Sequence, residues 1–150
     1  MKAVLQRVSK ASVTIDGSET RSIAAGLMIL LGISPEDSQE DINWLTGKIA
    51  GMRIFKDDQD RMNLSVQDIK GEMLIVSQFT LFASTKKGNR PSFSLSAPPE
   101  TAIPLYESFI SEIRQKTGLT VRTGEFGASM EVEICNNGPV TIIIDSKNRE

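Results

Sequence analysis

The chain has 150 residues, 39% of them hydrophobic and 24% charged, with a formal net charge of −2; this is the composition of a single globular domain and excludes the broad basic surface that non-specific nucleic-acid binding requires. It contains no histidine and one cysteine, Cys135, so it cannot assemble a Ser-His-Asp triad, a Cys-His pair, a His-ligated zinc site or a thiolate cluster. Proton transfers in an enzyme of this composition fall to carboxylates, hydroxyls, Lys, main-chain groups or the substrate itself.

In chain order, the opening "MKAVLQRVSKASVTI" carries apolar residues at Val4, Val8, Val13 and Ile15 in broken alternation. Its polar character, without an apolar segment and a small-residue cleavage site, predicts no secretory signal and a cytoplasmic protein. Asp16-Gly17 is a strong hairpin signal, so the segment reads as strand, turn and strand. The longest apolar run, "GLMILLGI" (26–33), is too short to span a bilayer and is bounded by glycines, as expected of a strand buried on both faces. After Pro35, Ser38 is a candidate N-cap with acidic residues behind it. Ile42, Leu45, Ile49 and Met52 follow at helical spacing.

"KDDQDRMNL" (56–64) predicts a polar loop; it resembles a calcium loop but lacks the Gly at the sixth position and the Glu at the twelfth, so no metal is expected there. "GEMLIVSQFTLFA" predicts one continuous strand. A loop rich in Gly, Pro, Ser and Lys then leads to a second helix, with Leu105, Phe109, Ile110 and Ile113 on one face and Gly118 as its stop. "LTVRTG", "ASMEVEIC" and "PVTIIID" predict three closing strands, with Cys135 inside an apolar alternation and expected to be a buried, inert thiol. The fold class expected is α+β, a single domain with a largely antiparallel, barrel-like sheet and two main helices.

Three stretches place polar or irregular groups where a plain core would not. "VSQFTL" puts Ser77, Gln78 and Thr80 into an apolar strand. Either Gln78 and Thr80 share a solvent face at the strand's period of two, or they build a site, since buried polar groups need partners. "STKKGNRPSF" gathers Lys86, Lys87 and Arg90 in a slightly acidic protein, which suits phosphates or is a solvated loop. "NNGPVT" (136–141) sets Gly138-Pro139 between predicted strands, either as a type I or II turn or as a cis Gly-Pro unit with a use for its shape.

"SQFTL" at 77–81, "NGPVT" at 137–141, the opening "MKAVLQRVSKASV", "KGNRPSF" and "GEFGASMEVEICNNGPVT" together resemble the D-aminoacyl-tRNA deacylase family, in family order over almost the whole chain. One departure is visible: Asn137 stands where family members usually carry Asp. The resemblance implies a homodimer that hydrolyses the ester between a D-amino acid and the 3′ end of tRNA, without metal or cofactor, as one domain over 1–150. It implies that Ser77, Gln78, Phe79 and Thr80 line the aminoacyl pocket, with main-chain N–H groups of Phe79 and Thr80 as oxyanion donors. It further implies a cis Gly138-Pro139 lent to the partner's pocket as a steric selector against L-amino acids, braced by Arg7. Met130 and Phe126 would pack at the pocket, and Lys86, Lys87 and Arg90 would meet the tRNA. Thr80 is left as either nucleophile or positioner. If exclusion is steric, glycyl-tRNA is a substrate too. The competing class is a non-catalytic RNA- or ligand-binding domain; a general esterase would need a base for its nucleophile, and none is evident.

Overall fold

The computed structural model describes residues 1–149. Strand β1 (Lys2–Ile15) runs into a turn at Asp16 and Gly17, both at positive φ (47° and 69°), and β2 (Glu19–Ile23) returns antiparallel with Glu19 opposite Ile15. Strand β3 (Gly26–Gly32) follows, then helix α1 (Gln39–Gly51) and a short hairpin of β4 (Phe55–Lys56) and β5 (Met62–Leu64). Next come β6 (Glu72–Ser77), a 3-10 turn (Phe79–Phe82), helix α2 (Pro99–Thr117), β7 (Val121–Thr123) and the long β8 (Met130–Asp145). The helix ends carry the residues expected of them. The Ser38 N–H donates to the Asp41 carboxylate at 2.8 Å, and Gly118 closes α2 in the left-handed region at φ 65°.

β1 organises the sheet. Along one edge it pairs antiparallel with β8, from Lys2 opposite Asp145 to Ile15 opposite Met130. Along the other it pairs first with β3 and then with β2, both antiparallel. Beyond β3 the sheet turns parallel, with β6 on β3 and β7 on β6. Gly26 is required at that junction, because a Cβ there would lie 1.8 Å from the Glu72 carbonyl oxygen.

The alternation along β3 and β6 divides the core in two. Leu27, Ile29, Leu31, Met73 and Ile75 face Ile42, Leu45 and Ile49 of α1 and Phe109 and Ile113 of α2. Met28, Leu74 and Val76 face the other way, onto Val13, Ile15 and Ile23 inside the curl of the sheet. Each such side chain, fully buried, stabilises the fold by roughly 1.5–3 kcal/mol. The curl nearly closes a barrel: Arg21 on β2 donates from Nη1 to the carbonyls of Thr123 (2.9 Å) and Gly124 (3.3 Å) beyond the far edge at β7.

Four expectations are corrected. β6 stops at Ser77 instead of running to residue 83, because Gln78 (φ −142°, ψ 80°) leaves the strand and opens the 3-10 turn. Gln78 and Thr80 therefore share no strand face. "NNGPVT" is not a turn between two strands but an interruption inside β8. Gln6 pairs with Thr141 and Val8 with Asn136, so residues 137–140 bulge out opposite Arg7. A proline in a bulge has no ladder bond to lose. Cys135 is exposed, because no element among the described residues covers the outward face of β8 there. The polar loop at 56–64 forms the β4–β5 hairpin, in which the Asp57 carboxylate accepts from the N–H groups of Gln59 (2.9 Å) and Arg61 (3.1 Å).

Candidate active site

A cavity of about 80 Å³ opens at the carboxyl ends of the parallel strands β3 and β6, the end of such strands where ligands bind in open α/β sheets. Leu31 and Ile33 form its floor, Ser77, Gln78 and Phe79 one wall, Ser96, Ala97 and Ala102 a second, and Phe126 and Gly127 a third. None of these side chains is ionisable.

The turn after β6 is set by close contacts. The Gln78 N–H donates to the Leu31 carbonyl at 2.8 Å. A Cβ on Gly32 would lie 3.0 Å from both the Gln78 carbonyl oxygen and Leu81 Cβ, so the turn seats against β3 over a glycine. As the first residues of the 3-10 turn, Phe79 and Thr80 have N–H groups outside its internal bonding. No acceptor for them is found among the described residues. Gln78 Nε2 donates to Thr80 Oγ1. That oxygen is therefore met by a donor, which does nothing to remove its proton.

The third wall is held from outside. The buried Tyr106 of α2 donates its hydroxyl to the Ile75 carbonyl at 2.9 Å and meets the Phe126 ring edge-on, with centroids 6.0 Å apart. Burial, and secondarily the charge of Glu125, pushes the Tyr106 hydroxyl far above its ordinary value, so it stays a donor. Arg21 fixes the base of the loop through Thr123 and Gly124 and reaches the Glu125 carboxylate at 3.3 Å. Met130 packs in the smaller core beneath Gly124, where its sulfur would lie 2.5 Å from an added Cβ, and is not part of the cavity lining.

A second group surrounds the β8 bulge. Arg7 is 6% exposed and donates from Nη1 to the Ile54 carbonyl (2.7 Å) and from Nε to the Asn137 carbonyl (3.1 Å). The Asn136 side chain spans the bulge, donating to Thr141 Oγ1 at 3.1 Å and accepting from the Val140 N–H at 3.4 Å. Gly138-Pro139 is cis, with Gly138 at φ 124°. Both residues are exposed, and neither lines the cavity of its own chain. Lys86, Lys87 and Arg90 form a third group, exposed in a loop closed by reciprocal main-chain bonds between Ser84 and Ser92 (2.8 and 2.9 Å).

The structure thus brings Ser77, Gln78, Phe79 and Phe126 to one cavity, with Thr80 beside it, and leaves Gly138, Pro139 and Arg7 apart from it. Sequence reasoning missed Ser96, Ala102, Tyr106 and Arg21. A tyrosine among the apolar positions of α2 is a usable signal, because a buried hydroxyl needs an acceptor. Arg21 offers none; on a short polar strand it reads as a solvated charge.

The family model for D-Tyr-tRNA(Tyr) deacylase matches residues 4–145. The chain is 60% identical over 150 residues to the D-aminoacyl-tRNA deacylase of Flavobacterium psychrophilum and 57% identical over 150 residues to that of Flavobacterium johnsoniae, covering 100% of both chains in each case. The solved structure of a c-Myc DNA unwinding element binding protein superposes with a TM-score of 0.90 at 44% identity, covering 97% of this chain and 98% of that one.

Proposed function

Because this chain belongs to the D-Tyr-tRNA(Tyr) deacylase family, we propose that it hydrolyses the ester between a D-amino acid and the 3′ end of tRNA. The observation that carries the mechanism is the pair of main-chain N–H groups at Phe79 and Thr80 that have no acceptor among the described residues, beside a cavity lined by no ionisable side chain. Attack on the ester moves negative charge onto its carbonyl oxygen, and fixed main-chain donors stabilise that charge without reorganising. Water is the attacking group, assisted by the vicinal ribose 2′-hydroxyl. Thr80, its oxygen already accepting from Gln78, positions the substrate and is not the nucleophile.

Chirality is selected by the Gly138-Pro139 main chain, inserted into the cavity of a second copy and braced by Arg7. Two features support this reading: Gly138 and Pro139 are exposed in their own chain, and Ile134 and Ile143 of the same strand are 37% and 74% exposed, an apolar face suited to a partner. A main-chain selector rejects the L side chain by collision, so glycyl-tRNA, with no side chain, is also a substrate.

The similarity to a protein named for binding a DNA element favours a second reading, nucleic-acid binding without ester cleavage. Incubation with D- and L-tyrosyl-tRNA separates the two. Deacylation of the D-ester alone supports the first reading, and stable esters of both hands overturn it.

A further inference from the structure

Three of the large apolar side chains left in solvent, Phe79, Phe93 and Leu95, belong to the two segments that flank the cavity. Phe79 is 54% exposed, Phe93 36% and Leu95 58%. The rings of Phe79 and Phe93 meet at 5.1 Å between centroids and 73° between planes, so the two form a single aromatic step. One end of that step is tied to the cavity, since Phe79 lines it and the Ala97 N–H, a few residues beyond Phe93, donates to the Ile33 carbonyl at 2.9 Å. The other end leads into the loop closed by Ser84 and Ser92, which carries Lys86, Lys87 and Arg90 and no acidic residue. No carboxylate pairs with these cations among the described residues. Outward from the cavity the order is therefore aromatic step, then cationic loop.

Aromatic faces beside unpaired cations are the means by which proteins hold unpaired nucleotides, whose bases stack on the rings while their phosphates meet the charges. We propose that this surface binds the single-stranded nucleotides immediately 5′ of the nucleoside that carries the ester. Their bases stack on Phe93 and Phe79, and their phosphates lie along Lys86, Lys87 and Arg90. The protein's net charge of −2 makes the loop a local and not a general attraction for RNA. The proposal rests on the deacylase reading for its orientation, but it is separately testable as RNA binding.

The test uses the intact protein with Phe93→Leu, which keeps apolar bulk without a π face, and Phe93→Trp, which enlarges that face. A 5′-fluorescein RNA hexamer ending in CCA serves as an uncleavable probe. Phe93→Leu is expected to weaken its binding about tenfold while Phe93→Trp holds or tightens it. Replacing the loop cations by Ala should lower the slope of log K against log salt by about 0.7 per contacted phosphate. In deacylation, Phe93→Leu should raise KM for D-tyrosyl-tRNA about tenfold more than KM for D-tyrosyl-adenosine, which lacks the upstream nucleotides.

Equal effects on both substrates place Phe93 in the aminoacyl cavity and overturn the proposal. So does unchanged hexamer binding in both variants, or a sedimentation change that assigns the step to a contact between copies. If the unmodified protein cleaves neither ester, the deacylase reading fails, and hexamer binding still decides this one.

Discussion

Arg7 donates from Nε to the carbonyl of Asn137 across 130 positions of chain, while its Nη1 bonds Ile54, so one buried guanidinium ties the β8 bulge to the start of β4. Lysine offers a compact ammonium in place of this planar fork and cannot reproduce both bonds. Arg7→Lys should lower the single-turnover rate on D-tyrosyl-tRNA by about 10- to 100-fold through displacement of the bulge. The carbonyl left without a donor should cost about 1–3 kcal/mol of stability. A wild-type rate in a variant whose thermal midpoint has fallen would separate Arg7 from the selector.

Gly138→Ala tests the same contact from the other side. Its Cβ would lie 2.7 Å from Arg7 Nη2 and 3.0 Å from Val140 Cγ2, at a φ of 124° that L side chains rarely adopt. Arg7 can move aside, but it then releases Asn137. The expected outcome is strong loss of deacylation with the fold retained by circular dichroism. Gly17→Ala is the control: at φ 69° with nothing within 4 Å, it should cost only about 1–2 kcal/mol and leave the rate alone.

Thr80→Val keeps the shape of the side chain and removes the hydroxyl that Gln78 meets. A positioning hydroxyl should cost about tenfold in rate, one hydrogen bond's worth, whereas a lost nucleophile should cost several orders of magnitude. Replacing the ribose 2′-hydroxyl by hydrogen should be the more damaging change. A trapped acyl group on Thr80 would reverse the assignment.

Acid stability should depend on Asp41, which accepts from Ser146 (2.7 Å), Lys147 (2.8 Å) and the Ser38 N–H (2.8 Å). Burial pushes its carboxyl up, but the bonds from Lys147, Ser146 and Ser38 together outweigh it and hold the group well below the usual carboxylate range. A pKa depressed by folding gives stability that is whole above the unfolded value, about pH 4, and is lost as pH falls through the folded one. Asp41→Asn should therefore lower the thermal midpoint at pH 7 and flatten its decline below pH 4. An equally steep acid limb in the variant would place the acid-sensitive group elsewhere.

Glycyl-, D-alanyl- and L-alanyl-tRNA compared under single-turnover conditions test the selector directly. Steric exclusion predicts a glycyl rate close to the D-alanyl one. Glycyl-tRNA as resistant as L-alanyl-tRNA would mean that the pocket reads a D side chain positively.

Features that depend on near neighbours along the chain are legible in the amino-acid sequence by itself. The Asp16-Gly17 turn, the Ser38 cap, the apolar stripe of α2 and its Gly118 stop each follow from the dihedrals and hydrogen bonds available within a few residues. So does the doubly buried β3, whose unbroken apolar run serves two cores. The end of β6 at Ser77 is not legible, because "VSQFTL" suits a strand until Gln78 commits its N–H to Leu31 and the turn packs on Gly32. Nor is the β8 bulge, whose register is set by Arg7 on a strand far away in sequence. Cys135 and Arg21 mark the same boundary from opposite sides. Alternation along a strand says which residues share a face, but what covers that face is settled by the closure of the sheet. Closure left Cys135 in solvent and carried Arg21 to the loop behind the cavity.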